Sequence, residues 1–195
     1  MNNYPEKTFQ LPELKGLSAK QIEVHLKLYA GYVKHTNLIF DQLAELEKET
    51  EKNVYLIAEL RRRLGFEFDG MRLHEYYFEG FEQGAKAPNN SGELIKALSE
   101  QYGSYEKWLS DFKAAGMSRG IGWTILYYDP KQKRFLNTWV SDHELGHLAG
   151  LEIIIAMDMW EHAYMVDYVP AEKMTYIEAF FNNLNWEVIE SRFKK

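Results

Sequence analysis

Apolar residues at Ile22, Leu26, Tyr29, Val33 and Leu38 recur at helical spacing, so AKQIEVHLKLYAGYVKHTNLIFDQLAELEKE predicts one long helix. Ser18 stands where an N-cap is wanted, and the length of the run predicts a break or bend. A second helical stretch, NVYLIAELRRRLGFEFDGMRLHEYYFEGFEQGA, follows, with Gly65 and Gly70 expected to interrupt it. Two long helices in succession predict a helical hairpin. Residues 1–17, with Pro5, Pro12 and Gly16, read as extended. KAPNNSGE (86–93) reads as a linker, after which Ser91 and Ser104 are candidate caps for two shorter helices. Beyond Gly120 the pattern changes. GWTILYYD and RFLNTWVS, separated by PKQK, predict a β-hairpin, and LEIIIAMD a third, buried strand. MWEHAYMVDY and TYIEAFFNNLNWEVIESRFKK return to a helical pattern. The predicted class is α+β: an N-terminal long-helix hairpin (1–85), then a C-terminal α/β domain (86–195) with a three-stranded antiparallel sheet and surrounding helices.

Composition narrows the chemistry. The chain has 195 residues, enough for one domain with a core or for two small lobes sharing an interface. Its aromatic fraction, 15%, is high and predicts a core or pocket lined by rings. A formal net charge of −6 without a basic stripe argues against nucleic-acid or anionic-membrane partners. No cysteine is present, which excludes disulfides, thiol catalysis and Cys-ligated metals, so any transition metal must be held by His and carboxylate. MNNYPEKTFQLPELKGLSAKQ has no apolar core of a signal peptide, and the run IIIAM is far too short to cross a bilayer. A cytoplasmic protein is expected.

The six histidines carry the candidate chemistry. His25 lies on the first helix with Tyr29 and Tyr32, where a core stripe is the plain reading. His35 reads as solvated. His74 sits among rings in RLHEYYFEGF. Asp158 and His162 form D-x-x-x-H directly after a buried apolar strand, where a carboxylate is costly unless something positive holds it. A metal is one such thing, and three His with one Asp is a sound set for iron, manganese or zinc. HELGH (143–147) matches the H-E-x-x-H of zinc proteases, with His143 and His147 as ligands and Glu144 as base. Its surroundings fit that reading poorly. It lies between two strand-like runs, contains Gly146, and has Ile153 where the extended pattern wants a third His.

DMWEHAY (158–164) resembles the D-x-W-E-H-A-Y signature of the iron/manganese superoxide dismutases. GIGWTIL (120–126), NNLNWEVIESRF (182–193), FDGMRLHEYYFEGF (68–81) and IEVHLKLYAGYV (22–33) resemble further segments of that family in the right order. The resemblance implies a superoxide dismutase with one Fe or Mn ion per subunit, its ligands His25, His74, Asp158 and His162, joined in the family by a solvent molecule. It implies superoxide as substrate, turned into oxygen and hydrogen peroxide as the metal alternates between 2+ and 3+. Most relatives hydrogen-bond that solvent with a Gln from one of two places. One matches Gly70; the other puts His143 there, as in the His-bearing branch of the family. Tyr32 matches the gateway tyrosine, Trp123 and Trp160 match pocket rings, and Tyr77 and Phe78 are expected to add to them. Glu161 matches the residue that reaches a partner's ligand His, which implies a homodimer through Glu161 and His162. The metal site is expected between the two parts of the chain.

This chain departs from the family in three places. The first ligand and the gateway tyrosine stand one residue closer than usual, which predicts either a regular α-helix in place of a π-type bulge or a register shift that misplaces one of them. Tyr29 stands where relatives have a His, and Met165 where they have its Tyr partner. His147 has no assigned role. The other readings are a zinc metalloprotease built on HELGH and a non-catalytic, dismutase-like metal-binding protein.

Overall fold

The computed structural model describes residues 3–193. Helix α1 spans Ala19–Leu46, and Ser18 caps it by accepting the Gln21 N–H. A 3-10 turn at Glu47–Glu49 reverses the chain into α2, Thr50–Glu79. The expected break in α1 does not occur, and α2 runs straight through Gly65 and Gly70. A helical glycine costs only ~1 kcal/mol, and packing of the two antiparallel helices along each other offsets it. The buried line of α1 is Gln21, His25, Tyr29, Val33, Thr36, Ile39 and Leu43. It is rotated from the apolar stripe read in the sequence, and Leu38 is exposed. An apolar count misses this because three polar side chains lie on the buried line.

Ser104 caps α4 (Tyr105–Gly116) through the Lys107 N–H, as expected. Helix α3 (Glu93–Tyr102) instead begins at Gly92, and Ser91 bonds Asn89. The N-terminus of α3 finds its acceptor far along the chain, where Glu190 takes the Leu94 N–H. Strand β1 (Gly122–Asp129) pairs antiparallel with β2 (Arg134–Ser141) and with β3 (Glu152–Asp158), in the order β2-β1-β3.

The helix expected over MWEHAYMVDY is replaced by a single 3-10 turn, Glu161–Ala163, set among turns. Asp158 Oδ1 takes the Trp160 N–H at 2.8 Å, a local side-chain bond that competes with helix initiation. The last helical stretch is two helices, α5 (Lys173–Asn183) and α6 (Trp186–Ser191); Asn185 caps the second through the Glu187 N–H. One apolar cluster joins the hairpin base (Tyr29, Phe78), the sheet (Trp123, Met157) and α5 (Phe180). A small separate cluster, Ile39, Leu43 and Ile57, closes the hairpin tip.

Candidate metal centre

Two helices and one strand end converge where the hairpin meets the sheet. His25 comes from the buried face of α1, His74 from α2, Asp158 from the last residue of β3, and His162 from the 3-10 turn that follows. One potential ligand atom from each of the four lies within 4.8 Å of the others, and among the described residues no other group of three or more His and carboxylates converges in this way. His25 Nε2 lies 2.9 Å, His162 Nε2 3.1 Å and His74 Nε2 3.5 Å from the same oxygen, Asp158 Oδ2. His25, His74 and Asp158 are fully buried.

The donor chemistry fits a cation. His74 Nδ1 faces the Gly70 carbonyl, which can only accept, so that nitrogen carries the proton. Its Nε2 is therefore a bare lone pair that finds no hydrogen-bond partner, buried and turned toward a carboxylate oxygen. Two acceptors face to face in a dry interior repel unless a positive centre lies between them. Burial pushes the His25 imidazole down and the His74 imidazole well down, so both are neutral near pH 7. Burial pushes Asp158 up, but His162 and His25 beside it hold its carboxyl far below the usual range. Neutral imidazoles and an ionised carboxylate are the states in which these groups bind a metal.

Neighbouring bonds hold Asp158 and His162 in place. Tyr176 donates to the Asp158 carbonyl at 2.6 Å. The fully buried Gln21 donates to the His162 carbonyl at 2.6 Å and accepts the Val166 N–H at 3.0 Å. Sequence reasoning missed both residues. Gln21 had a signal, since it lies one turn before His25 on the same helix face; Tyr176 had none. Rings complete the wall: Tyr77 and Phe78 lie 4.9 Å from the His25 ring, Trp123 5.1 Å from His74, and Trp160 stacks on His162 at 5.5 Å.

HELGH is not a helix. A tight turn, closed by two backbone bonds between Ser141 and Leu145, carries His143 at its apex and points it inward, fully buried. Trp123 Nε1 can only donate, and it reaches His143 Nδ1 at 2.9 Å. Burial holds the His143 pKa down to about 4, so the ring is neutral and its one proton is on Nε2, donated to the Tyr32 hydroxyl at 2.7 Å. His147 points elsewhere, with Nδ1 on the Tyr127 hydroxyl. The two histidines and Glu144 do not converge on one point, so the protease arrangement is not formed.

The shortened spacing between His25 and Tyr32 leaves the helix uninterrupted. α1 is α-helical throughout, and Tyr32 still meets His143. Gly70 is part of the reason. A Cβ there would lie 2.6 Å from Tyr32 Cδ1, so the ring occupies the space a side chain at position 70 would need. Tyr29 is buried, accepts the Lys7 N–H at 2.9 Å and bonds Glu75, while Met165 is exposed.

Residues 90–192 match the family described as iron/manganese superoxide dismutases, C-terminal domain. The chain is 38% identical over 185 residues to a superoxide dismutase [Fe] of Cupriavidus metallidurans, covering 93% of this chain and 90% of the relative. It is 35% identical over 196 residues to a superoxide dismutase [Fe] of Aquifex pyrophilus, covering 98% and 91%. A superoxide dismutase [Mn] of Haloarcula marismortui is 39% identical over 127 residues, 65% of this chain and 61% of the relative.

Proposed function

The chain belongs to the iron/manganese superoxide dismutase family, and on that premise we propose that His25, His74, Asp158 and His162 hold one Fe or Mn ion for the dismutation of superoxide. The single observation that carries this reading is the bare His74 Nε2 facing Asp158 Oδ2 beside two further imidazoles. Iron or manganese in such a set supplies one-electron exchange between its 2+ and 3+ states.

The protein's own residues supply protons and shape. Two superoxide anions and two protons become one oxygen and one hydrogen peroxide, so a proton donor must stand at the entrance. Tyr32 is half-buried, and burial keeps its hydroxyl protonated well above neutral pH. Its oxygen accepts from His143, which leaves its own proton free to be directed toward substrate. Trp160 stacks on His143 at 4.8 Å and Phe66 lies 4.7 Å from the same ring, and together they exclude bulk water from it.

The division at residues 85 and 86, with the metal between the parts, is supported by two ligands coming from the hairpin and two from the C-terminal part, one at the end of β3 and one in the turn that follows. A homodimer through Glu161 and His162 is supported by exposed Glu161 beside partly exposed His162, with apolar Met165 and Val166 exposed just beyond. No helix among the described residues is long and apolar enough to cross a membrane. The composition supports an enzyme without a nucleic-acid partner, working in the cytoplasm.

The test is superoxide decay by purified protein loaded separately with Mn, Fe and Zn. Fast decay with Mn or Fe and none with Zn is expected. Loaded protein that is inert with every metal would leave only a metal-binding role. Gly70→Ala probes the entrance. Its methyl would displace the Tyr32 ring and separate it from His143, so turnover should fall about tenfold at unchanged metal content. An unchanged rate would remove Tyr32 from the proton route.

A further inference from the structure

We propose that His147 is a positioning residue for His143, the second His of the HELGH segment holding the first at the correct depth beside the metal ligands; this rests on the reading of the site given above. His147 Nε2 lies 2.8 Å from the His143 carbonyl oxygen. A carbonyl can only accept, so Nε2 carries the His147 proton and Nδ1 takes the Tyr127 O–H at 2.6 Å. Among the described residues no backbone N–H bonds the His143 carbonyl.

The geometry gives strand β1 two holds on one residue. Trp123 and Tyr127 are four apart on β1, so their side chains leave the same face. Trp123 bonds the ring of His143 directly, and Tyr127 bonds its backbone through His147. Both anchors are buried in the central strand. Asp69 on α2, with an oxygen 3.6 Å from His147 Nε2, favours the proton on that nitrogen.

The loop needs such a hold. Asp142, Gly146 and Gly150 all have positive φ, at 52°, 112° and 81°, so the backbone on both sides of His143 lies in conformations with weak local preference. Between Gly146 and Leu151, among the described residues, the one backbone–backbone bond is from the Leu151 N–H to the Leu148 carbonyl, at 3.3 Å. Removing the His147 contact frees the His143 carbonyl, and with it the ring's hold on Tyr32. Holding a proton-bearing neighbour of a metal centre by a further polar residue is a recognised way to tune such centres, and loss of outer partners costs about 10–100-fold in activity or affinity.

The experiment compares wild type, His147→Leu and His147→Gln, each loaded with iron. The Gln amide nitrogen can stand where Nε2 stands and donate to the same carbonyl. His147→Leu is expected to keep its iron and a cooperative thermal transition, to lose about tenfold in superoxide turnover, and to shift the ferric electron paramagnetic resonance spectrum. His147→Gln should recover the wild-type spectrum and come within about twofold of its rate. A purely structural role predicts a lowered thermal midpoint with an unmoved spectrum, and that result would overturn the proposal. So would a His147→Gln protein as altered as His147→Leu. If His147→Leu does not fold, Tyr127→Phe keeps the imidazole but removes its anchor, and an unmoved ferric spectrum there would count equally against the idea. An iron-loaded wild type without turnover would defeat the proposed function instead, while the spectra would still decide the role of His147.

Discussion

Asp158→Ala protein should emerge from purification without stoichiometric metal, and its superoxide turnover should be lower by more than about 100-fold, beyond the range seen when only an outer partner of a ligand is lost. The reason lies in the convergence of three imidazole nitrogens on one oxygen, Asp158 Oδ2. That carboxylate supplies the site's negative charge, and its other oxygen holds the Trp160 N–H that shapes the turn carrying His162. Alanine removes both. Asp158→Asn separates them, because its carbonyl can still accept from Trp160 while the charge is gone. It should fold more stably than the alanine variant and still be metal-poor. Elemental analysis alongside superoxide decay reads both effects. Near-stoichiometric iron or manganese in the alanine variant would mean that the metal is held elsewhere.

Gly122→Ala should be the most damaging single methyl in the sheet. Gly122 opens β1 at φ 148°, and a Cβ there would lie 2.1 Å from the carbonyl oxygen of Val140 on β2. The obstacle is paired backbone, which cannot step aside as a flexible side chain could. A cost of about 3 kcal/mol is expected from the strained φ and the clash together. At a chain length near 200 residues this lowers the thermal midpoint by about 6–12 °C. Gly31→Ala is the matched control. Its Cβ meets nothing within 4 Å and its helical backbone is ordinary, so it should be neutral or stabilising by about 0.5–1 kcal/mol. Differential scanning calorimetry of the metal-loaded proteins decides. Equal midpoints for the two variants would show that the start of β1 can shift to admit a side chain.

Much of the architecture is readable in the chain because it is written in short-range patterns. The helical hairpin, the β-hairpin over residues 122–141 and the third strand all follow from periodicity and turn residues. The boundaries that failed did so where a specific bond or packing contact outweighed the local propensity. Ser91 is passed over because Glu190, remote in sequence, already serves the start of α3. The helix pattern after β3 yields to one local bond, in which the Trp160 N–H donates to the Asp158 carboxylate. Gly65 and Gly70 do not interrupt α2, because the packing of α1 along it overrides propensity.

By itself the sequence determined the fold class, the absence of cysteine chemistry and, through its family motifs, the four residues that the fold brings together: His25, His74, Asp158 and His162. Only the tertiary structure decided which nitrogen of each ring faces the site. It also decided that the shortened stretch between His25 and Tyr32 still brings Tyr32 to His143, and that the two histidines of HELGH diverge while remaining linked through a backbone carbonyl. The physical reason is that residue type and spacing encode what a side chain can donate or accept. Which of these it does depends on acceptors and donors that arrive from strands and helices far away in the chain.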